Sequence, residues 1–173
     1  LGYKFYNAEG KVLTPSGEAM CRVARVDAAN LDARLAKCEI VVASDVDNVL
    51  YGERGAAWVY AKQKGATPTM IDALDEGMRS FAEVVGGDYH NLPGAGAAGG
   101  VGYALMALLG ATLKPGIELV LDMLNFDMLL DGAQLVVTGE GRIDRQTLMG
   151  KAPSGVLSRS LKMGRDVIAV GGC

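Results

Sequence analysis

The chain has 173 residues, half of them hydrophobic but only 6% aromatic, so its core must come from Ala, Val, Leu, Ile and Met, as in helix-on-sheet packing. A net charge of −3 supplies no basic face, which removes the electrostatic case for nucleic acid or an anionic membrane. No apolar run approaches the ~20 residues that span a bilayer. Cys21, Cys38 and Cys173 are too few and too scattered for a zinc pattern or a disulfide framework.

Residues 3–6, 7–10 and 11–13 read as strand, turn and strand, because Asn7 and Gly10 favour a tight hairpin. Ser16 is expected to cap a short helix through Ala24, and residues 31–37 to form another. The β-branched run 39–46 is the strongest strand pattern of the first half. Residues 52–64 look helical, with Ala57, Tyr60 and Ala61 available to face inward and Lys62 and Lys64 complementing a helix C-terminus. Thr67-Pro68 is a helix start, Ile71, Leu74, Met78, Phe81 and Val85 recur at helical spacing, and Gly86-Gly87 is the stop.

Further on, residues 94–100 read as a loop and 101–110 as a helix. Residues 117–121 read as a strand, 126–130 as a short helix and 134–138 as a buried strand. A polar segment, 139–150, leads to a helix over 153–163 and a last strand over 166–171. Strands separated by helices give the α/β class, with an antiparallel portion at the start. The chain opens inside a strand-like segment and stops just after another. A parallel strand normally feeds a crossover helix, so a piece of a longer chain is expected. A cleaved start and a covered terminal strand are the alternative.

Three segments carry chemistry. Pro93-Gly94-Ala95-Gly96-Ala97-Ala98-Gly99-Gly100 precedes an apolar helix. Glycines let backbone N–H groups turn toward one anion, and a helix N-terminus adds partial positive charge. A tight loop that lets a small-residue helix pack closely explains the same residues. Gly94, Gly96 and Gly99 satisfy G-x-G-x-x-G, but the preceding residues 88–93 are loop-like, whereas a dinucleotide fingerprint follows a strand. A nicotinamide-dependent oxidoreductase is therefore disfavoured, and the Gly-Lys-Ser/Thr ending of a Walker A loop is missing.

The second segment is Thr138-Gly139-Glu140-Gly141, at the carboxyl end of a strand, where open α/β sheets bind ligands. Asp144, Gln146, Thr147 and Lys151 follow. Glu140 and Asp144 can hold Mg²⁺ through water or act as a base, or they can simply cap the next helix. The third, Asp45-Val46-Asp47-Asn48, ends its strand in the same way and suits either a ligand or a turn. His90 is the only histidine and has no nucleophile motif to activate.

Together and in order, these segments resemble the bacterial glycerate kinase family, which phosphorylates D-glycerate with ATP. The resemblance rests on Val42-Ala43-Ser44-Asp45-Val46-Asp47-Asn48-Val49-Leu50-Tyr51-Gly52, Gly55-Ala56 and Gln63-Lys64-Gly65-Ala66. It continues through the residue 93–100 run, Thr138-Gly139-Glu140-Gly141, Asp144, Gln146-Thr147 and Gly150-Lys151-Ala152-Pro153. Val49 departs from the family's usual proline, and the family's opening strand, its Ser-Phe-Lys segment and the stretch beyond Cys173 are absent.

The resemblance implies a mixed sheet flanked by helices in an inserted α/β domain, residues 1–131. Part of a flavodoxin-like parallel sheet follows, residues 132–173. It implies Mg-ATP as phosphoryl donor and glycerate as the small-molecule partner, while a homo-oligomer stays open. The unpaired thiols of Cys21, Cys38 and Cys173 fit a reducing compartment, so the cytoplasm is expected. Charge and apolar-run length give no nucleic acid and no membrane as partner. Asp45, Glu140 and Asp144 are then expected to be catalytic, with Glu140 and Asp144 near the metal. Asp47, Asn48, Gln146 and Thr147 are expected on the substrate. Gly94, Ala95, Gly96, Ala97, Ala98, Gly99, Gly100 and Lys151 are expected on the phosphates. A non-catalytic nucleotide- or anion-binding module of the same fold is the alternative.

Overall fold

The computed structural model describes residues 1–143 and 152–172, and the chain divides into two compact units, Leu1–Leu113 and Lys114–Cys173. Helices and short strand pairs make it a mixed α/β structure.

In the first unit, β1 (Lys4–Tyr6) pairs antiparallel with β2 (Arg25–Asp27), with Phe5 opposite Val26. The expected hairpin is present as a short one: Gly10 N–H donates to Asn7 O at 3.0 Å, Asn7 N–H to Lys11 O at 3.0 Å and Leu13 N–H to Phe5 O at 2.8 Å, around a single bridge between Tyr6 and Val12. The strand that completes the pair lies beyond the segment expected to be helical. Ser16 does cap, its Oγ accepting from Ala19 N–H at 3.1 Å, but only a 3-10 turn, Met20–Arg22, follows rather than a helix to Ala24. Asp32 caps a similar turn, Ala33–Lys37, by accepting from Arg34 N–H.

β3 (Val41–Ala43) and β4 (Thr112–Lys114) form the second pair. The strand expected over 39–46 is thus trimmed to its β-branched centre. The helix expected over 52–64 is likewise reduced, to a π turn, Ala57–Ala61, and a 3-10 turn, Lys62–Lys64, closed by left-handed Gly65.

The long helix matches its sequence signals. In α1 (Pro68–Val85), Thr67 Oγ1 accepts from Met70 N–H, Pro68 sits in the first turn and Gly86 ends the helix. Ile71, Met78 and Ala82 are buried against Leu50, Ala56, Ala57, Ala95, Tyr103 and Met106, with Leu74, Phe81 and Val85 at the margin. The Met and Phe stripe is therefore core. Tyr103 comes from α2 (Ala97–Leu109), whose first turn is broken by non-helical backbone at residues 98–100.

In the second unit, α3 (Gly116–Met123) occupies the residues expected to form a strand at 117–121. Four apolar residues interrupted by Glu118 do not distinguish helix from strand. Here Pro115 precedes the first turn, Glu118 faces its partial positive charge, and only Leu121 is buried. After α4 (Phe126–Leu129), β5 (Leu135–Glu140) and β6 (Asp166–Gly171) run parallel on either side of α5 (Ala152–Lys162) in sequence. Their register is unbroken from Leu135 opposite Asp166 to Glu140 opposite Gly171. α3 and α5 approach so closely that a Cβ on Gly155 would lie 2.5 Å from Ile117 Cγ1.

Arg159 of α5 ties these helices electrostatically. It contacts Glu118 at 3.0 Å and Asp127 at 3.7 Å, and it also pairs with Asp122, which Lys114 approaches at 3.3 Å. Hydrogen bonds from Arg159 first, then from Lys114, hold the Asp122 carboxyl below its usual range. A depressed carboxyl contributes stability that is full above the unfolded value, about 3.9, and is lost as pH falls through the folded one. Acid titration of the melting temperature is expected to show a loss below about pH 4 that shrinks in Arg159→Met and at high salt, since the pair is partly exposed. An unchanged acid slope in the variant would refute the linkage.

Among the described residues, no helix is long and apolar enough to cross a membrane.

Candidate functional site

β3 delivers its C-terminal end into residues 44–48. Asp45 and Asp47 are exposed there, while Asn48 is half-buried and tightly held. Its Oδ1 accepts from the Tyr60 hydroxyl, its Nδ2 donates to Arg54 O at 3.0 Å, and its backbone carbonyl accepts from Gly96 N–H at 2.8 Å. The strand-end loop and the glycine-rich segment, well separated in sequence, are therefore one site. Their contact is close enough to require glycine. A Cβ on Gly96 would lie 2.3 Å from Val49 O, and one on Gly94 would lie 3.2 Å from Ser44 Oγ.

The glycine-rich segment is a compact double turn. Ala95 N–H donates to Leu92 O, Ala97 N–H to Gly94 O, and both Gly99 and Gly100 N–H groups to Gly96 O. Five of its amides, counting Gly96, thus point at protein carbonyls. Gly94, Ala95 and Gly96 are buried, whereas Ala98 and Gly99 are exposed at the tip. Ala98 has φ 50°, a left-handed conformation outside glycine that costs about 1 kcal/mol. The preceding residues form a 3-10 turn, Asp88–Asn91, so G-x-G-x-x-G here lacks the strand a dinucleotide site needs.

Four further side chains brace this site, and sequence reasoning missed them. Asp75 on α1 is buried, its Oδ1 accepting from Gly52 N–H at 2.8 Å. Arg79, one turn on, lies 3.9 Å from Asp75 and 4.5 Å above the Tyr51 ring. Tyr51 stacks on His90 with centroids 5.1 Å apart, and His90 O accepts from Leu50 N–H at 2.9 Å. The signal was present: Asp75 sits between Ile71 and Met78 on the apolar face of α1, where a carboxylate needs a partner.

In the second unit, Glu140 is the last residue of β5, half-buried, with its carbonyl accepting from Gly172 N–H at 3.2 Å. Gly139 beside it would place a Cβ 2.6 Å from Val170 O, so the strands there tolerate no side chain. Asp144, Gln146, Thr147 and Lys151 lie outside the described residues. Among the described residues, no three His, Cys, Asp or Glu side chains gather as a metal site.

The model of the family described as "Glycerate kinase family" matches residues 1–173. The chain belongs to the glycerate kinase family. It is 46% identical to a Bacillus cereus glycerate kinase over 99% of this chain and 46% of that one. It is 44% identical to the Escherichia coli glycerate 2-kinase over the same shares. A crystal structure from Salmonella typhimurium LT2, described as glycerate kinase 2, superposes with a TM-score of 0.88 at 43% identity, covering 99% of this chain and 47% of its own. The chain thus spans about half the length of the glycerate kinases it matches.

Proposed function

We propose that this chain carries part of the machinery of a glycerate kinase, which moves the γ-phosphoryl group of ATP to a hydroxyl of D-glycerate and yields phosphoglycerate. The observation that carries the reading is the match of the whole chain, both glycine-rich segments included, to glycerate kinases at more than 40% identity. Phosphoryl transfer depends chiefly on positioning and charge neutralisation. The site of the first unit suits the positioning part, because its loops are locked to one another by Asn48 and Gly96.

In this reading Asp45, Asp47 and Asn48 face the substrate, joined by Gln146 and Thr147. The turn formed by residues 94–100, with Lys151, faces the phosphates. Asp45, Glu140 and Asp144 act at the reacting oxygen. With the amides of Ala95, Gly96, Ala97, Gly99 and Gly100 committed to carbonyls, phosphate contact falls to the exposed tip at Ala98. Mg²⁺ takes carboxylate oxygens together with water and phosphate, and Glu140 at a strand end fits that donor chemistry, with Asp144 as its partner. When bound, the ion would neutralise phosphate charge.

The inserted domain is assigned to residues 1–131 and the flavodoxin-like portion to 132–173. The parallel β5–α5–β6 unit falls wholly in the latter. The compact division comes earlier, at Leu113, so α3 and α4 are where the two boundaries differ. A cytoplasmic site of action follows from a substrate and a nucleotide found there.

Full-length protein carrying this segment is expected to form ADP from ATP only when glycerate is added, measured by a coupled assay. ATP binding without glycerate-dependent turnover would instead favour a non-catalytic nucleotide-binding module.

A further inference from the structure

We infer that Tyr60 is a positioning residue for substrate binding, acting through the side-chain amide of Asn48; this rests on the glycerate kinase reading. The loop that ends β3 carries two exposed carboxylates, Asp45 and Asp47. Ionised, each is only an acceptor of hydrogen bonds, and each repels an anionic substrate at close range. Asn48 carries a side-chain hydrogen-bond donor in the same loop. Its usefulness depends on which way round the amide sits, because a half-turn exchanges Nδ2 for a third acceptor oxygen.

The surroundings of Asn48 fix that choice. Arg54 O, an acceptor only, takes one Nδ2 hydrogen at 3.0 Å, and the Tyr60 hydroxyl donates to Oδ1 on the other side. A flipped amide would set Oδ1 against the Arg54 carbonyl and lose that bond, and the Tyr60 hydroxyl would have to turn its own proton away to accept from Nδ2. Nδ2 has a second hydrogen, and this is the group directed at a substrate oxygen. Asn48 O meanwhile accepts from Gly96 N–H, so the residue that Tyr60 orients is also the one that joins the substrate loop to the glycine-rich turn.

Tyr60 is well placed for this duty. It sits in the π turn Ala57–Ala61, which is anchored by Ala57 at 2% exposure. Single π turns recur where a side chain must be aimed out of helical register. A tyrosine serving packing alone has no need of this particular partner, since the residue is only half-buried.

The test uses the full-length enzyme. Tyr60→Phe keeps the ring and removes only the hydroxyl. KM for glycerate is expected to rise roughly 3- to 10-fold, while kcat and KM for ATP stay within about twofold. In an Asn48→Ala background the same change is expected to add less than about twofold, since the two residues act as a unit. An unchanged KM for glycerate in Tyr60→Phe overturns the assignment, and so does an equal effect with and without Asn48. A parent enzyme with no glycerate-dependent ADP formation overturns the functional reading and this inference with it. An active parent with an indifferent Tyr60→Phe variant overturns this inference alone.

Discussion

Gly102→Ala is expected to lower the unfolding free energy by about 2–3 kcal/mol, read as a fall in the urea midpoint at unchanged slope. Helix propensity alone argues the opposite sign, because alanine is favoured over glycine in a helix interior by about 1 kcal/mol. Packing decides against it. A Cβ on Gly102 would lie 2.0 Å from Gly94 O and 3.4 Å from Ala95 O, and a backbone carbonyl cannot swing aside as a side-chain tip can. Relief requires moving the turn that carries Gly96, and with it the hydrogen bond from Gly96 N–H to Asn48 O. Gly77→Ala in α1 is the matched control. Its Cβ would meet Cys21 N and the Met20 side chain at an ordinary 3.4 Å, so there the propensity gain should survive. Equal effects at the two sites would show that the close approach of residues 94 and 102 carries no energetic weight.

Asp75→Ala is expected to cost about 1.5–3 kcal/mol, the range for losing a buried hydrogen bond to a charged group. Asp75 is 8% exposed and is the side chain through which α1 holds the Gly52 amide. Removing it leaves that amide without its acceptor, while Arg79 keeps Glu76 at 3.5 Å. Asp75→Asn retains an acceptor oxygen for Gly52 N–H and should cost under about 1 kcal/mol. Hydrogen exchange at Gly52 separates the explanations. Faster exchange confined to residues 50–56 in the alanine variant is the expected pattern, and exchange as slow as in the parent would show that Asp75 does not brace the loop.

What could be read from the sequence was whatever depends on neighbours along the chain. α1 was legible from end to end, because Thr67, Pro68 and Gly86 act on their own backbone and Ile71 to Val85 repeat with the helix. β5, α5 and β6 were legible as elements, but the burial expected of the strand over 134–138 is not found, since Leu135 and Val137 are exposed. Residues 117–121 were misread because so short a segment, four apolar residues and Glu118, satisfies either period, and only Leu121 of them is buried. β2 was missed because three residues carry too little pattern and owe their extended state to pairing with β1. In the site, the residue types of Asp45, Asn48 and the glycines announced themselves. That Gly96 rests on Asn48, and that Asp75 holds Gly52, are facts of tertiary approach that no local spacing encodes.

The parallel pair of β5 and β6 has a practical consequence. Val137 is 65% exposed, Ile168 50% and Val170 56%, although parallel strands ordinarily lie covered on both faces. Among the described residues these two make a two-stranded sheet, and the edges of a sheet are templates for pairing with another chain. Residues 1–173 prepared alone are therefore expected to self-associate, and precipitation during purification would reflect that surface rather than a fault in either compact unit. Kinetic work is best begun on protein long enough to clothe those strands.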